Sequence, residues 1–206
     1  MKNSGGNERR RRGSLSREEI VAAAEVVARD ARPLTIREIS SEMGASPMSL
    51  YRYFPTREDL MAALVDTILE RVVVPSGGPW DSRLHQLAEE HSRVLSAHPW
   101  AVPILFDHPV PGLNAMRLGE SYLEIFTEAG MNGDDAVTGL MSVLALVYGR
   151  AGFVAGKPTT ALPTVPASRL PLSSANAGQL SEYGDEKTFS AVLELLVMGV
   201  KFRLRA

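Results

Sequence analysis

Thr35-Ile-Arg-Glu-Ile-Ser-Ser-Glu-Met-Gly-Ala-Ser-Pro-Met-Ser-Leu-Tyr-Arg-Tyr-Phe54 is the stretch whose reading decides the fold. Thr35-x-x-Glu38 is a capping-box pattern, in which the two side chains satisfy free amides at a helix start. Ile36, Ile39 and Met43 then share one side, and Gly44 supplies the left-handed residue that closes a helix. Ser46 caps again, with Pro47 at the first helical position, where its missing amide hydrogen costs nothing. Two helices separated by about three residues that include Gly have helix-turn-helix spacing. In the second helix Leu50 and Phe54, four residues apart, face inward, while Pro47, Met48, Ser49, Tyr51, Arg52 and Tyr53 occupy the other faces. Such a surface suits DNA: Tyr and Ser hydroxyls donate to phosphates, Arg pairs with guanine or phosphate, and apolar groups meet a thymine methyl. Part of at least one tyrosine ring is expected to pack on the first helix instead.

The flanks continue the helical reading. Ser16-x-x-Glu19 opens a helix carrying Ile20, Ala24, Val27 and Ala28 on one face, and Asp30-Ala-Arg-Pro33 ends it. Thr56-x-x-Asp59 opens a longer helix, predicted through about Val73, with Leu60, Leu64, Ile68 and Val72 along one stripe. That helix begins beside the small bundle and runs toward the remainder of the chain, so it is expected to connect the two parts physically.

Ser16 to Val73 resembles the amino-terminal domain of the TetR family of bacterial transcriptional repressors. The resemblance rests on Leu34-Thr35-Ile-Arg-Glu-Ile39, Met43-Gly44-Ala-Ser46, Leu50-Tyr51-Arg-Tyr53-Phe54 and Arg57-x-x-Leu60, in that order and at the family spacing. It implies that Thr35 and Arg37 meet the DNA backbone at the start of the supporting helix. It further implies that Pro47, Met48, Ser49 and Arg52 face bases from a helix opened by Ser46, and that Tyr51, Tyr53 and Arg57 hold phosphates. The family often has Lys where Arg57 stands and His or another aromatic where Tyr53 stands; both replacements keep phosphate-contact chemistry. Pro47 and Met48 make few base hydrogen bonds, so the operator sequence is not legible.

Charge is distributed accordingly. The net charge is -2, yet residues 1–57 carry eleven Lys and Arg against seven Asp and Glu, leaving the remainder acidic. Residues 1–14 hold Gly5-Gly6 and the run Arg9-Arg10-Arg11-Arg12 without apolar periodicity, and are expected to be a disordered basic arm. Such a run serves either as a solubilising tail or as an arm on the phosphate backbone or in a minor groove. The expected organisation is therefore all-α. A three-helix DNA-binding domain spans 15–74, including the connecting helix, and a larger ligand-binding and dimerisation domain spans 75–206 after the Pro75-Ser-Gly-Gly-Pro79 break.

Within the larger part, helical patterns cover Trp80 to Ala97, Leu113 to Ala129, Asp134 to about Gly156 with Asn132 as cap, and Asp185 to Leu204; a short apolar segment spans Trp100 to Phe106. The last two long helices are apolar around much of their circumference, more than one small domain buries. A homodimer is expected from that surplus, and the family resemblance implies the same through a four-helix bundle. A dimer would place two recognition helices roughly 34 Å apart on a palindromic duplex. A deeply buried helix pair within a monomer is the other reading. Residues 157–184, rich in Pro, Ser, Thr, Ala and Gly, are expected to be a flexible connection, with a lid as the alternative.

No catalytic, cofactor or metal site is expected. There is no Cys, and His85, His91, His98 and His108 lack the spacing of a helical zinc site. Neither a nucleophile elbow nor a phosphate-binding Gly loop is present. Leu140 to Gly156 is read as too short to span a bilayer, and Met1 to Arg12 has no signal-like apolar run, so a cytoplasmic protein without a membrane segment is expected. His98, Trp100, Phe106, Met116, Arg117, Tyr122, Met141 and Tyr148 are the candidate lining of a small-molecule pocket, mostly apolar with a few polar groups. Arg117 and Arg150, if buried, need an anionic partner, either a ligand carboxylate or Glu120 or Glu124. The functional expectation is a DNA-binding regulator, most simply a repressor, whose DNA affinity an unknown small-molecule effector lowers by linkage. The rival is a ligand carrier or enzyme-like body with a vestigial DNA-binding domain.

Overall fold

The computed structural model describes residues 15–107, 112–156, 167–181 and 184–205. The chain divides into two compact units between Leu60 and Met61, inside a helix and ahead of the Pro75 break where the sequence places the boundary.

The first unit holds α1 (Arg17–Arg29), α2 (Ile36–Glu42), α3 (Pro47–Tyr51) and the opening of α4 (Arg57–Leu69). Ser16 and Glu19 form both halves of the capping box on α1. The α1 terminus closes through Ala31 N–H to Ala28 O at 3.1 Å and Arg32 N–H to Val27 O at 3.0 Å, which forces Ala31 to φ 54°. This is the Schellman arrangement, with alanine where glycine is preferred. Thr35 Oγ1 accepts the Glu38 amide at 3.2 Å, but the reciprocal half of that box is missing. The Glu38 carboxylate instead takes Arg32 Nε at 2.9 Å and Nη2 at 2.6 Å, because charge-assisted bonds outcompete a neutral amide. Gly44 adopts φ 62° and closes α2 as expected. Ser46 accepts the Ser49 amide at 3.3 Å with Pro47 in the first turn of α3. Thr56 and Asp59 exchange backbone bonds at 3.0 Å to open α4. Ile20, Ala24, Val27, Ile39, Leu50, Phe54 and Leu60 are fully buried and form this unit's core.

In the second unit α4 stops at Leu69, short of the expected Val73. The three valines before Pro75 explain the early stop: β-branched residues disfavour the helix, and Pro75 biases Val74 toward extended backbone. α5 (Trp80–Ala97), α6 (Ala101–Asp107), α7 (Leu113–Glu128), α8 (Gly133–Ala155) and α11 (Glu186–Arg203) form the body of this unit. α8 is central, packing on α5, α6, α7 and α11 through Ala136, Leu140, Val143, Val147 and Ala151. Its start differs from expectation: Asn132 makes no side-chain cap, and Asp135 pairs with Arg203. A Cβ on Gly139 would sit 2.9 Å from the buried Phe126 ring, so this glycine allows α7 and α8 to approach. Two short helices, α9 (Pro171–Ala175) and α10 (Ala177–Ser181), occupy part of the stretch read as a structureless connection. Proline at the first turn of α9 and Asn176 between the two are local signals that segments of five residues cannot extend into a readable period. No strand occurs among the described residues.

α8 is 23 residues long, and by length and composition alone it could cross a membrane, contrary to the shorter stretch inferred from sequence. Its Arg150 is hydrogen-bonded to serines of α5, and one stripe packs in the core. Its opposite side, with Val137, Met141 and Phe153, is exposed, as are Leu195, Met198 and Phe202 of α11.

Candidate functional site

The outward surface of α3 is set by what its inward residues do. Leu50 and Phe54 are fully buried, so Pro47, Met48, Tyr51 and Arg52 face solvent, Met48 at 73% exposure. Ser46, Thr35, Arg37 and Arg57 are also exposed, while Ser49 and Tyr53 are half-buried. Four of these groups already have bonding duties, Thr35 through the Glu38 amide described above. Ser46 and Ser49 share a hydroxyl hydrogen bond at 2.8 Å, and Arg57 Nε donates to Leu34 O at 3.0 Å, bracing the segment before α2. Arg9, Arg10, Arg11 and Arg12 lie outside the described residues.

Arg17, which has no place in the sequence motifs, fixes the far end of α3. Its Nη1 donates to the Tyr53 carbonyl, and its guanidinium stands 4.0 Å from the centre of the Phe54 ring. A cation over an aromatic face combined with a charge-assisted bond holds the end of a five-residue helix that has little stability of its own. No local pattern announces a partner 36 positions away.

The eight candidate pocket residues are not gathered into one place. Phe106, Met116 and Met141 are exposed. Arg117 is exposed too, and its Nη2 donates to the carbonyls of Leu69, Glu70 and Val72 at 3.3–3.4 Å. Its counter-charge is thus the negative end of α4 rather than Glu120 or Glu124. Asp66 completes the joint in the other direction, accepting the Asn114 and Ala115 amides at 3.0 Å and capping α7. His98 lies edge-on to Trp100 at 5.9 Å. Its Nδ1 is 2.7 Å from Val94 O, so Nδ1–H donates and the bare Nε2 accepts from Arg71 Nη1 at 3.2 Å.

Tyr122 and Tyr148 do come together, around His91. The His91 ring is stacked with Tyr122 at 6.2 Å and meets Tyr148 edge-on at 5.7 Å, with Tyr122 Oη 3.4 Å from His91 Nδ1. His91 is 1% exposed, and its Nε2 has no hydrogen-bond partner. Burial pushes this imidazole down to about 4, so it is neutral at physiological pH. Burial also raises both phenols, Tyr148 to about 12. The sequence excludes His91 only from a helical zinc site; an apolar helix face alone does not reveal the two tyrosines that enclose it. Among the described residues no group of three or more His, Asp or Glu is placed to hold a metal ion.

A glycine-closed turn between two capped helices, with the second presenting an arginine, a tyrosine and a methionine to solvent, defines a helix-turn-helix protein. Residues 18–64 match the family profile "Bacterial regulatory proteins, tetR family", and residues 74–204 match "Tetracyclin repressor-like, C-terminal domain". The chain belongs to the TetR family of bacterial regulatory proteins. It is 30% identical over 148 residues to the HTH-type transcriptional repressor DrrR1 of Streptomyces coeruleorubidus, a match covering 67% of this chain and 53% of that protein. A second relative, an HTH-type transcriptional regulator of Saccharopolyspora erythraea, is 30% identical over 139 residues, covering 66% of this chain and 59% of its own length. The chain thus spans little more than half the length of these curated relatives. Among solved structures, apo ActR from Streptomyces coelicolor superimposes with a TM-score of 0.82 at 21% identity, covering 92% of this chain and 96% of that one. ActR has also been solved with actinorhodin, and that structure matches at a TM-score of 0.77 and 23% identity over 91% of this chain and 97% of that one.

Proposed function

We propose that this protein is a sequence-selective transcriptional repressor that binds a palindromic double-stranded DNA operator as a homodimer and is released by a small molecule held in the second unit. The observation that carries the reading is the surface of α3: Met48, Tyr51 and Arg52 face solvent on a helix whose end is clamped by Arg17. Pro47, Met48, Ser49 and Arg52 meet bases, while Tyr51 and Tyr53 beside them, Thr35 and Arg37 at the start of α2, and Arg57 at the start of α4 meet phosphates. Ser46 holds the helix start, and Arg9 to Arg12 add backbone contacts. Dimerisation covers the exposed apolar residues of α8 and α11, which a monomer leaves in water.

Release follows from linkage. A ligand that binds better to a conformation with wrongly spaced recognition helices weakens DNA binding by the same factor by which DNA weakens its own. That ActR, a protein of this fold, has been solved with actinorhodin supports a small-molecule ligand. The second unit here offers His91, Tyr122 and Tyr148 as its polar aromatic centre. The cytoplasm is the compartment in which such a repressor meets DNA.

Fluorescence anisotropy with duplexes tiled across the gene's own promoter tests this reading. Binding should weaken linearly in log salt, and Arg52→Ala should cost about 1–3 kcal/mol on the preferred duplex if it reads a base. Tyr51→Ala should weaken all duplexes alike. Equal affinity for every duplex, or turnover of a small molecule by a protein with no DNA affinity, would overturn it.

A further inference from the structure

Arg150 of α8 has an incomplete set of partners. Its Nη1 donates to Ser92 Oγ at 2.6 Å and Ser96 Oγ at 3.0 Å, and its guanidinium lies 5.2 Å from the Phe189 ring centre. Nε is buried with no acceptor, and among the described residues no carboxylate forms an ion pair with this group. Two hydroxyls and an aromatic face orient a guanidinium without neutralising it. The serines occupy Nη1 and burial shields Nε, which leaves Nη2 as the nitrogen that a carboxylate in the cleft can reach.

Arg150 lines a cleft of about 380 Å³ between α5, α8 and α11, a volume within the range of small-molecule sites. Phe189 forms one wall, and Glu89, Glu90, Arg93 and Glu186 also line it. Glu90 and Arg93 satisfy each other through two bonds of 2.7 Å. That leaves Arg150, Glu89 and Glu186 as the charges of the cleft without an ion-pair partner among the described residues. A simple anion would meet Arg150 against two carboxylates, and a simple cation would leave Arg150 unanswered. A molecule bearing both signs on a flat body answers all three.

We infer that the cleft between α5, α8 and α11 binds a small amphoteric aromatic acid, its carboxylate on Arg150, its ring against Phe189 and its protonated amine toward Glu89 and Glu186. The inference deepens the ligand-responsive reading of the second unit and rests on it only for a regulatory consequence, since binding is measured without DNA. Failure of DNA release with binding intact counts against that reading, and failure of binding counts against the cleft.

The probe is 4-(aminomethyl)benzoate, with benzoate and benzylamine as controls, titrated into the 15N-labelled full chain. The arginine Nε resonance that disappears in Arg150→Gln reports on the site. The probe should move this resonance saturably, and Arg150→Gln should lower its affinity roughly tenfold or more, as expected for loss of a charge-assisted bond. Glu89→Gln combined with Glu186→Gln alters exposed side chains and should leave folding intact. That pair should weaken the probe about two- to fivefold, the range for exposed ion pairs, and leave benzoate unweakened. Absence of a shift up to the solubility limit, probe affinity unchanged in Arg150→Gln, or benzoate binding as tightly as the probe would each overturn the inference.

Discussion

Asp66 and Gly112 form a contact whose energetics can be separated by a double-mutant cycle. Asp66 Oδ1 accepts the backbone amides of Asn114 and Ala115 at 3.0 Å, and Oδ2 accepts Asn114 Nδ2 at 3.2 Å. A residue on α4 thereby supplies the side-chain cap that α7 lacks at Gly112. Asp66→Ala removes the acceptor of two helix-start amides, so the loss should be about 2–3 kcal/mol, between the range for caps and that for bonds to charged groups. Gly112 has φ 177°, extended backbone open to any residue, so alanine there brings no dihedral strain. Its Cβ would nevertheless lie 2.6 Å from Asp66 Cγ and 2.7 Å from Oδ2, so Gly112→Ala must push the carboxylate off the α7 amides. Overpacking and loss of the cap together should cost about 2–3 kcal/mol. In the Asp66→Ala background those atoms are gone, and Gly112→Ala should then cost less than about 0.5 kcal/mol. Urea unfolding of the four proteins at one fixed protein concentration gives the cycle, since holding concentration constant keeps any association between chains the same for all four. Two losses of similar size that simply add in the double variant would refute the contact as the cause.

Two further outcomes concern single residues. Ala31→Gly should stabilise the first unit by about 1 kcal/mol, because Ala31 holds φ 54° and glycine adopts that region without a Cβ penalty; thermal melts should show a higher midpoint. His91 is neutral in the folded protein with its pKa pushed down to about 4, whereas an unfolded chain takes up the proton near 6.5. Its contribution is therefore fully present above pH 6.5 and fades as pH falls toward 4, by about 2–3 kcal/mol at pH 4.5. Denaturant titrations at pH 7 and pH 4.5 should show this loss, and His91→Phe should abolish most of it; an equal pH dependence in both proteins would place the titrating group elsewhere.

The parts of this molecule legible in its sequence are those whose physics acts within one turn. Ser16, Ser46 and Thr56 cap helices because the amides they satisfy lie three residues on, and Gly44 closes α2 because only its own φ is at issue. Thr35 and Glu38 mark the limit of that logic, since Arg32, from outside the box, diverts the carboxylate. Periodicity likewise reveals that a face is apolar but not what it meets, so it found α5 and α8 without finding that His91 lies against Tyr148, or that Arg150 reaches Ser92 across 58 positions. Chemical type nominates pocket residues without fixing their direction: Arg117 turns to the end of α4, while Arg150, outside that set, lies beside a cleft with only neutral hydrogen-bond partners. The difference lies in the acceptors supplied. A helix end offers three carbonyls that share a partial negative charge and so completes Arg117, whereas two serine hydroxyls position Arg150 without neutralising it, leaving that charge available to a ligand.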